Sequence, residues 1–373
     1  MDVVVTGMGL LSCLGSLNQS WASILAGKSG IKIQQPFTEF PFYPLGLIGR
    51  TPSNLSWLTE SVVKAALKDA NLSPPLAECG ISIGSSRGCQ NIWETAIINK
   101  SYPNWLDTLP HQASVFAARL IQTTAPVLSP MAACATGIQA IARGYELIQT
   151  GECQRVIVGA VETPVTRLSL AGFDRMGALA KTGCYPFDSR REGLVLGEGG
   201  AVFVLETLSL ARKRKAKIYG KILGYGLTCD AIGTTAPQGN SSAIAIKQCL
   251  ERSNLKPDNI EYIHAHGTST RLNDYHEANL IKKIFNNSVA VSSTKGATGH
   301  TLGASGAMGV AWCLMALQSK YLPPCVGLQQ LDFKINAVMK ARQQNISNAL
   351  CFSFGFGGQN AVIAIGSSKI DNK

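Results

Sequence analysis

Residues 129–148 read SPMAACATGIQAIARGYELI, and the reading of the whole chain works outward from this stretch. Apolar residues recur in it at helical spacing. One cysteine, Cys134, stands where that helix begins, among Ala, Thr and Gly. Two accounts of such small neighbours are open: two helices pack closely here, or something must reach the sulfur. A companion stretch at 291–317, VSSTKGATGHTLGASGAMGVAWCLMAL, reads as a strand, a loop and a second small-residue helix.

These two stretches sit in equivalent places of a weak but ordered duplication. In the first half a strand (DVVVTGMGLLS, 2–12) precedes a helix (61–72), a strand (CGISIGSS, 79–86), the Cys134 helix and a strand (RVIVGAVET, 155–163). The second half repeats the order: KIYGKILGYGLTCD at 217–230, a helix at 243–260, EYIHAHGTST at 261–270, the 291–317 stretch, and a Gly-rich hairpin-like pair at 349–366. The strands are continuous Val/Ile runs, as expected for strands covered on both faces. The pattern predicts an α/β protein with two packed mixed sheets and helices between and outside them. The two small-residue helices then lie face to face at the centre.

The chain has 373 residues, 46% hydrophobic and 15% charged, which describes a globular protein with a large core. The formal net charge is +11. Its basic residues are scattered except for Arg212, Lys213, Arg214, Lys215 and Lys217, read as a solvated loop or helix end. Nucleic acid is therefore not the expected partner, whereas an acidic protein or a phosphate-bearing group suits the charge. No basic leader precedes the opening strand, and the most apolar run, around 307–317, is too short and Gly-rich to span a bilayer. The 11 cysteines show no paired spacing and read as buried thiols in a reducing, cytoplasmic compartment. Nucleotide loops and zinc-ligand spacings are not found.

Of the five histidines, His264 and His266 close one strand, and His300 lies in TKGATGH at the mouth of the second small-residue helix. His300 holds, in the second half, roughly the place of Cys134 in the first. A pseudo-twofold between the halves would bring Cys134, His300 and His266 to one central site. A cysteine at a helix N-terminus is expected to have a lowered thiol pKa. Neutral imidazoles beside it can donate hydrogen bonds to a developing oxyanion. The competing account is inert core for the cysteine and ordinary structural roles for the histidines. Lys295 is either an exposed loop lysine or a buried cation with Asp274 or Glu277 as partner; both acids also suit a helix start. GFGGQN at 355–360 is either a plain tight turn or a set of N–H groups lining an oxyanion site, with Phe356 near the pocket.

Six motifs carry a resemblance across nearly the whole chain: VVVTGMGLLSCLG, AACATG, PFDSRREGLVLGEGG, HAHGTSTRLND, SSTKGATGHTLGASG and SFGFGGQN, in this order. The sequence resembles the β-ketoacyl-acyl carrier protein synthases of the synthase I/II type, the Cys-His-His condensing enzymes of the thiolase-fold superfamily. The resemblance implies a thiolase-like fold of two duplicated α-β halves in an α-β-α-β-α layering. The halves would be 1–212, with a shortened cap insertion at about 36–110, and 213–373. It implies decarboxylative condensation of an acyl-enzyme with malonyl-acyl carrier protein in fatty acid elongation. The alternatives are a specialised polyketide, polyene or glycolipid synthase, or a partner subunit with little activity of its own. Cys134 then corresponds to the nucleophile, and His266 and His300 to the decarboxylation pair. Lys295 matches the family lysine, with Glu277 as ion-pair partner and Asp274 in support. Thr268 and Thr270 match the pantetheine-holding threonines. Phe356 matches the gatekeeper, whose N–H joins that of Cys134 in an oxyanion hole. No cofactor or metal is implied, because phosphopantetheine arrives on the acidic carrier protein; a homodimer is implied. Gln359 stands where many members have Thr.

Overall fold

A computed structural model describes residues 1–102, 105–230 and 240–368. Among the described residues the main sheet has twelve strands; two short ones, Gly15–Ser16 and Asn336–Ala337, add to ten that form its repeated body, five from each half. The first five are β1 (Val3–Ser12), β2 (Gly80–Gly84), β3 (Val127–Leu128), β4 (Arg155–Glu162) and β5 (Gly199–Thr207). The second five are β6 (Gly220–Cys229), β7 (Tyr262–His264), β8 (Ala290–Ser292), β9 (Asn348–Gly355) and β10 (Gln359–Gly366). Their spatial orders are β1-β5-β4-β2-β3 and β6-β10-β9-β7-β8, the same permutation twice. Pairing repeats as well: β2 runs parallel to β3 and β4, and β7 parallel to β8 and β9.

The sequence predicts two sheets, and hydrogen bonding makes them one. β1 and β6 pair antiparallel through Val3–Ile222, Val4–Lys221 and Val5–Gly220, so the ladder runs unbroken through both halves. The sheets nevertheless enclose two helices, α3 (Thr136–Gln149) and α6 (Ser305–Ser319), which touch each other and strands of both halves. Helices α1 (Leu55–Asp69) and α2 (Gln112–Ile121) cover the outer face of the first sheet. Helices α4 (Ser241–Arg252) and α5 (Arg271–Ile284) cover that of the second. This is the thiolase-like α-β-α-β-α layering, with β1 and β6 at its seam.

Small residues make the central layer thin. A Cβ on Gly137 would stand 2.5 Å from the Ala307 amide nitrogen, and one on Gly306 would stand 2.9 Å from Ile138. Close packing is therefore one reason for the small residues after Cys134. The apolar stretch around α6 is longer than the sequence suggests, since a short turn at Leu302–Ala304 extends it to Leu302–Ser319. That length and composition would suit a membrane span, but the surface is spent on the core between the sheets.

Two further expectations change. The segment 36–110, expected as a cap, contributes α1 and β2 to the layered core, because their apolar residues fill the space under the first sheet; its residues 103 and 104 lie outside the described residues. The equivalence of Cys134 and His300 is also out of register. A left-handed residue precedes each central helix by three positions, Ala133 (φ 47°) before Thr136 and Leu302 (φ 41°) before Ser305. Gly303, not His300, is therefore the counterpart of Cys134.

The helix crossing tolerates no extra atom on Gly137. Gly137→Ala should lower unfolding stability by about 1–3 kcal/mol, the usual cost of overpacking. A urea midpoint equal to the parent's would show that the two helices can separate freely.

Candidate active site

Cys134 sits in the turn between β3 and α3, and the local sequence explains its pose. The Thr136 hydroxyl accepts from the Ala132 N–H at 2.9 Å and donates to the Ala133 carbonyl at 2.7 Å, closing the turn around Ala133. From the other half, the Ser353 hydroxyl donates to the Cys134 carbonyl at 2.8 Å. Gly355 lets the β9 end come this near: a Cβ there would stand 2.9 Å from the Cys134 nitrogen. The chain then turns back through Phe356, Gly357 and Gly358, both glycines at positive φ, and the Phe356 N–H is directed at the Cys134 sulfur. GFGGQN is thus a tight turn and also a donor aimed at the thiol.

His266 follows β7 by two residues, and its peptide is clasped from both sides. Glu277, on α5, accepts from the His266 N–H at 2.6 Å and the Gly267 N–H at 2.7 Å. Lys295, buried, donates its ammonium to the His266 carbonyl. The ion pair expected between Lys295 and Glu277 is not formed within 4.0 Å. Each charge instead meets the peptide dipole between them. Burial lowers the Lys295 pKa, with Glu277 opposing, and raises that of Glu277 to about 7, held down in part by the Gly267 N–H. Asp274 does similar work one turn earlier. It accepts from the Phe187 N–H at 2.8 Å and the Ser269 N–H at 3.2 Å, and burial raises it to about 6.

His300 is placed by backbone alone. Its N–H donates to the Val195 carbonyl at 2.6 Å and its carbonyl accepts from the Gly197 N–H at 3.1 Å. The motif PFDSRREGLVLGEGG thereby supplies the ledge on which His300 rests. His264 points elsewhere: its Nε2 meets the Thr294 hydroxyl at 3.2 Å, and burial drops its pKa to about 3, so it is structural. His111 and His276 are exposed and do not line the pocket.

The structure brings the three candidates together. Ligand atoms of Cys134, His266 and His300 lie within 4.8 Å of one another, and the imidazole centroids are 5.2 Å apart, edge to face. Both histidine Nδ1 atoms are buried without a hydrogen-bond partner. Burial, aided by the Lys295 charge, pushes both imidazoles well below their ordinary pKa, so they are neutral. Such a triad can also hold a metal ion, but the buried Lys295 ammonium beside it disfavours a cation. The pocket above the triad is lined also by Thr268, Thr270, Phe354 and Phe356. The two threonine hydroxyls hydrogen-bond each other at 2.9 Å. Phe356 is 37% exposed, with its ring 6.2 Å from that of Phe173.

One electrostatic expectation reverses. The helix terminus was expected to lower the Cys134 pKa, yet burial raises it to about 11, against the pull of Lys295 and Arg87. The thiol therefore rests protonated. Sequence reasoning also missed Glu162. Fully buried, it accepts from the Ser85 hydroxyl, the Ser86 hydroxyl and N–H, the Arg87 N–H and the Gly303 N–H, tying the loop after β2 to the start of α6. An acid at the end of an apolar strand was the available signal. Ser353, which anchors Cys134, gave none.

The fold and the site together define a condensing enzyme of the thiolase-like class, and the comparisons name its family. The chain matches the β-ketoacyl synthase N-terminal domain over residues 54–211 and the C-terminal domain over residues 219–329. It is 32% identical to a 3-oxoacyl-[acyl-carrier-protein] synthase 2 of Staphylococcus aureus, with 97% of each chain covered. It is 33% identical to a 3-oxoacyl-[acyl-carrier-protein] synthase 2 of Synechocystis sp., again over 97% of each chain. Among solved structures, it superposes with TM-score 0.93 and 26% identity on a chain of a type II PKS acyl-carrier protein in complex with its ketosynthase bound to the hexaketide. That match covers 98% of this chain and 99% of the other. A β-ketoacyl synthase from Burkholderia phymatum gives TM-score 0.91 and 27% identity, covering 99% and 100%. The chain belongs to the β-ketoacyl synthase family. The alignment with the Staphylococcus aureus relative runs over 408 positions, more than the 373 residues here, so that relative carries segments this chain lacks.

A thiol at about 11 predicts how Cys134 reacts in the substrate-free protein. Its alkylation by iodoacetamide should rise about 10-fold per pH unit from pH 7 to 9, following the thiolate fraction. A plateau below pH 8 would mean that the helix terminus outweighs burial.

Proposed function

We propose that this protein condenses an acyl group with malonyl-acyl carrier protein to give a β-ketoacyl-acyl carrier protein in fatty acid chain elongation. The observation that carries the reading is the convergence of Cys134, His266 and His300 within 4.8 Å at the floor of one pocket. Cys134 sulfur attacks the thioester carbonyl of acyl-carrier protein, and the pantetheine sulfur leaves with the proton that the thiol gives up. The N–H groups of Cys134 and Phe356 receive the tetrahedral oxyanion. Malonyl-carrier protein follows. Its thioester carbonyl accepts hydrogen bonds from neutral His266 and His300, which stabilise the enolate formed as the carbon–carbon bond breaks and carbon dioxide departs. The enolate carbon then attacks the acyl-enzyme, the carbon–sulfur bond breaks, and Cys134 regains a proton.

The remaining candidates take supporting parts. Thr268 and Thr270 face the pantetheine arm, and Phe356 gates the acyl side. Lys295 and Glu277 hold the His266 peptide, and Asp274 holds the turn before α5. The protein uses no cofactor of its own, since phosphopantetheine arrives on the substrate. The +11 charge suits an acidic carrier protein. A homodimer, with each chain divided near residues 212 and 213, completes the reading.

A second reading, a specialised ketosynthase, is supported by a type II PKS ketosynthase complex and the ishigamide ketosynthase/chain length factor among the neighbours. The presence of Cys134 speaks against an idle partner subunit. Elongation assays with acyl-carrier protein primers of several lengths, followed by product analysis, separate these.

Cys134→Ala should abolish acyl-enzyme formation, read by intact-protein mass spectrometry; acyl transfer to that variant would refute the nucleophile assignment. His300→Ala should still acylate but lose malonyl decarboxylation by on the order of 100-fold, the effect of removing one oxyanion donor. Decarboxylation at the parent rate would remove His300 from this step.

A further inference from the structure

An acyl group on Cys134 has the pantetheine side of the pocket before it and an apolar wall behind it. The wall is built from Val165, Leu170, Phe173, Leu194 and Leu302, all buried. The Phe173 ring stands near the Phe356 ring, 6.2 Å away by centroid, and also carries the guanidinium of Arg87 over it, the guanidinium carbon 5.7 Å from the Phe173 centroid. Phe173 thus touches both the pocket, which it lines, and an exposed cation that does not line it.

Arg87 is held at its backbone and free at its tip. Its N–H donates to Glu162 at 3.1 Å, and the Ser85 hydroxyl accepts from the Gly88 N–H at 2.9 Å, which fixes the backbone of this exposed residue and leaves its side chain to reach. Among the described residues the guanidinium enters no ion pair within 4.0 Å and donates no hydrogen bond. Glu162, the acid bound to this loop, already has five donors on its two oxygens. The field of Arg87 reaches the Cys134 sulfur, where it acts with Lys295 against burial. A cation beside an apolar acyl site is a poor neighbour for the end of a hydrocarbon chain. It is a good one for a carboxylate, which a guanidinium receives in a two-pronged, charge-assisted pair.

We propose that Arg87 is a specificity residue that favours acyl groups with a carboxylate at the end distal to the thioester, reached when the Phe173 ring turns aside. This inference rests on the acylation of Cys134 proposed above and names the substrate class for it. The chemistry of the two steps is unchanged, since Arg87 does not touch the reacting carbonyl.

The test loads Cys134 from carrier-protein thioesters matched in length: succinyl against butyryl, adipoyl against hexanoyl, suberoyl against octanoyl. Initial rates of acyl-enzyme formation are read by mass spectrometry, with acetyl-carrier protein as the control for the parent protein. In at least one pair the dicarboxylic member should lead by on the order of 10-fold, the worth of one charge-assisted hydrogen bond. Arg87→Leu should reverse that ratio, and Arg87→Lys should keep part of it; thermal unfolding checks that both variants are folded. If acetyl loads but no pair discriminates, or if Arg87→Leu leaves the ratio unchanged, the inference is overturned. If acetyl itself fails to load the parent protein, the failure belongs to the proposed function.

Discussion

In the molecule's central layer two helix backbones come close together. Gly137 faces the Ala307 amide with no room for a side chain between them. Helices packed through ordinary side chains stand about 8–10 Å apart. Bringing α3 and α6 together through small residues draws the two sheets inward. The β9 end of one half then reaches the turn of the other, where Ser353 and Gly355 meet Cys134. The Cys134 turn belongs to the first half, while Phe356, whose N–H points at its sulfur, and both histidines belong to the second. The thin central layer is what assembles them.

Enclosure by two sheets also sets the charge state of the site. Burial acts against whichever form is charged. It holds Cys134 as thiol and His266 and His300 as neutral imidazoles. A neutral imidazole keeps one ring N–H to donate and one nitrogen to accept. The charged groups left inside serve peptides: Glu277 and Lys295 grip opposite ends of the His266 unit, and Glu162 collects five donors from two loops. A direct Lys295–Glu277 pair would have left those peptide groups without partners in a dry interior, at a cost of about 1–3 kcal/mol for each unsatisfied group.

Much of this was legible in the residues. The duplicated order of strands and helices, the small-residue character of the central helices and the Gly-rich hairpin all follow from local periodicity and turn chemistry. Cys134, His266 and His300 stood out because each lies at the end of a strand or the start of a helix. The register of the duplication was misread by three residues, because the turn at Leu302–Ala304 hides where α6 begins. Glu162 and Ser353 carried little or no signal: their partners lie far off along the chain, Gly303 and Cys134 being 141 and 219 residues away.

The sequence by itself determined the elements, their order and the residue types available for chemistry, because these depend on neighbours within a few positions. Tertiary structure decided which of them meet and in what state. It joined two sheets into one ladder, paired Lys295 with a carbonyl in place of a carboxylate, and placed Arg87 against Phe173. It also reversed the expected pKa of Cys134. The reason is that desolvation and electrostatic coupling depend on distance in space, and residues 134, 266, 295 and 300 become neighbours only when the two halves close on each other.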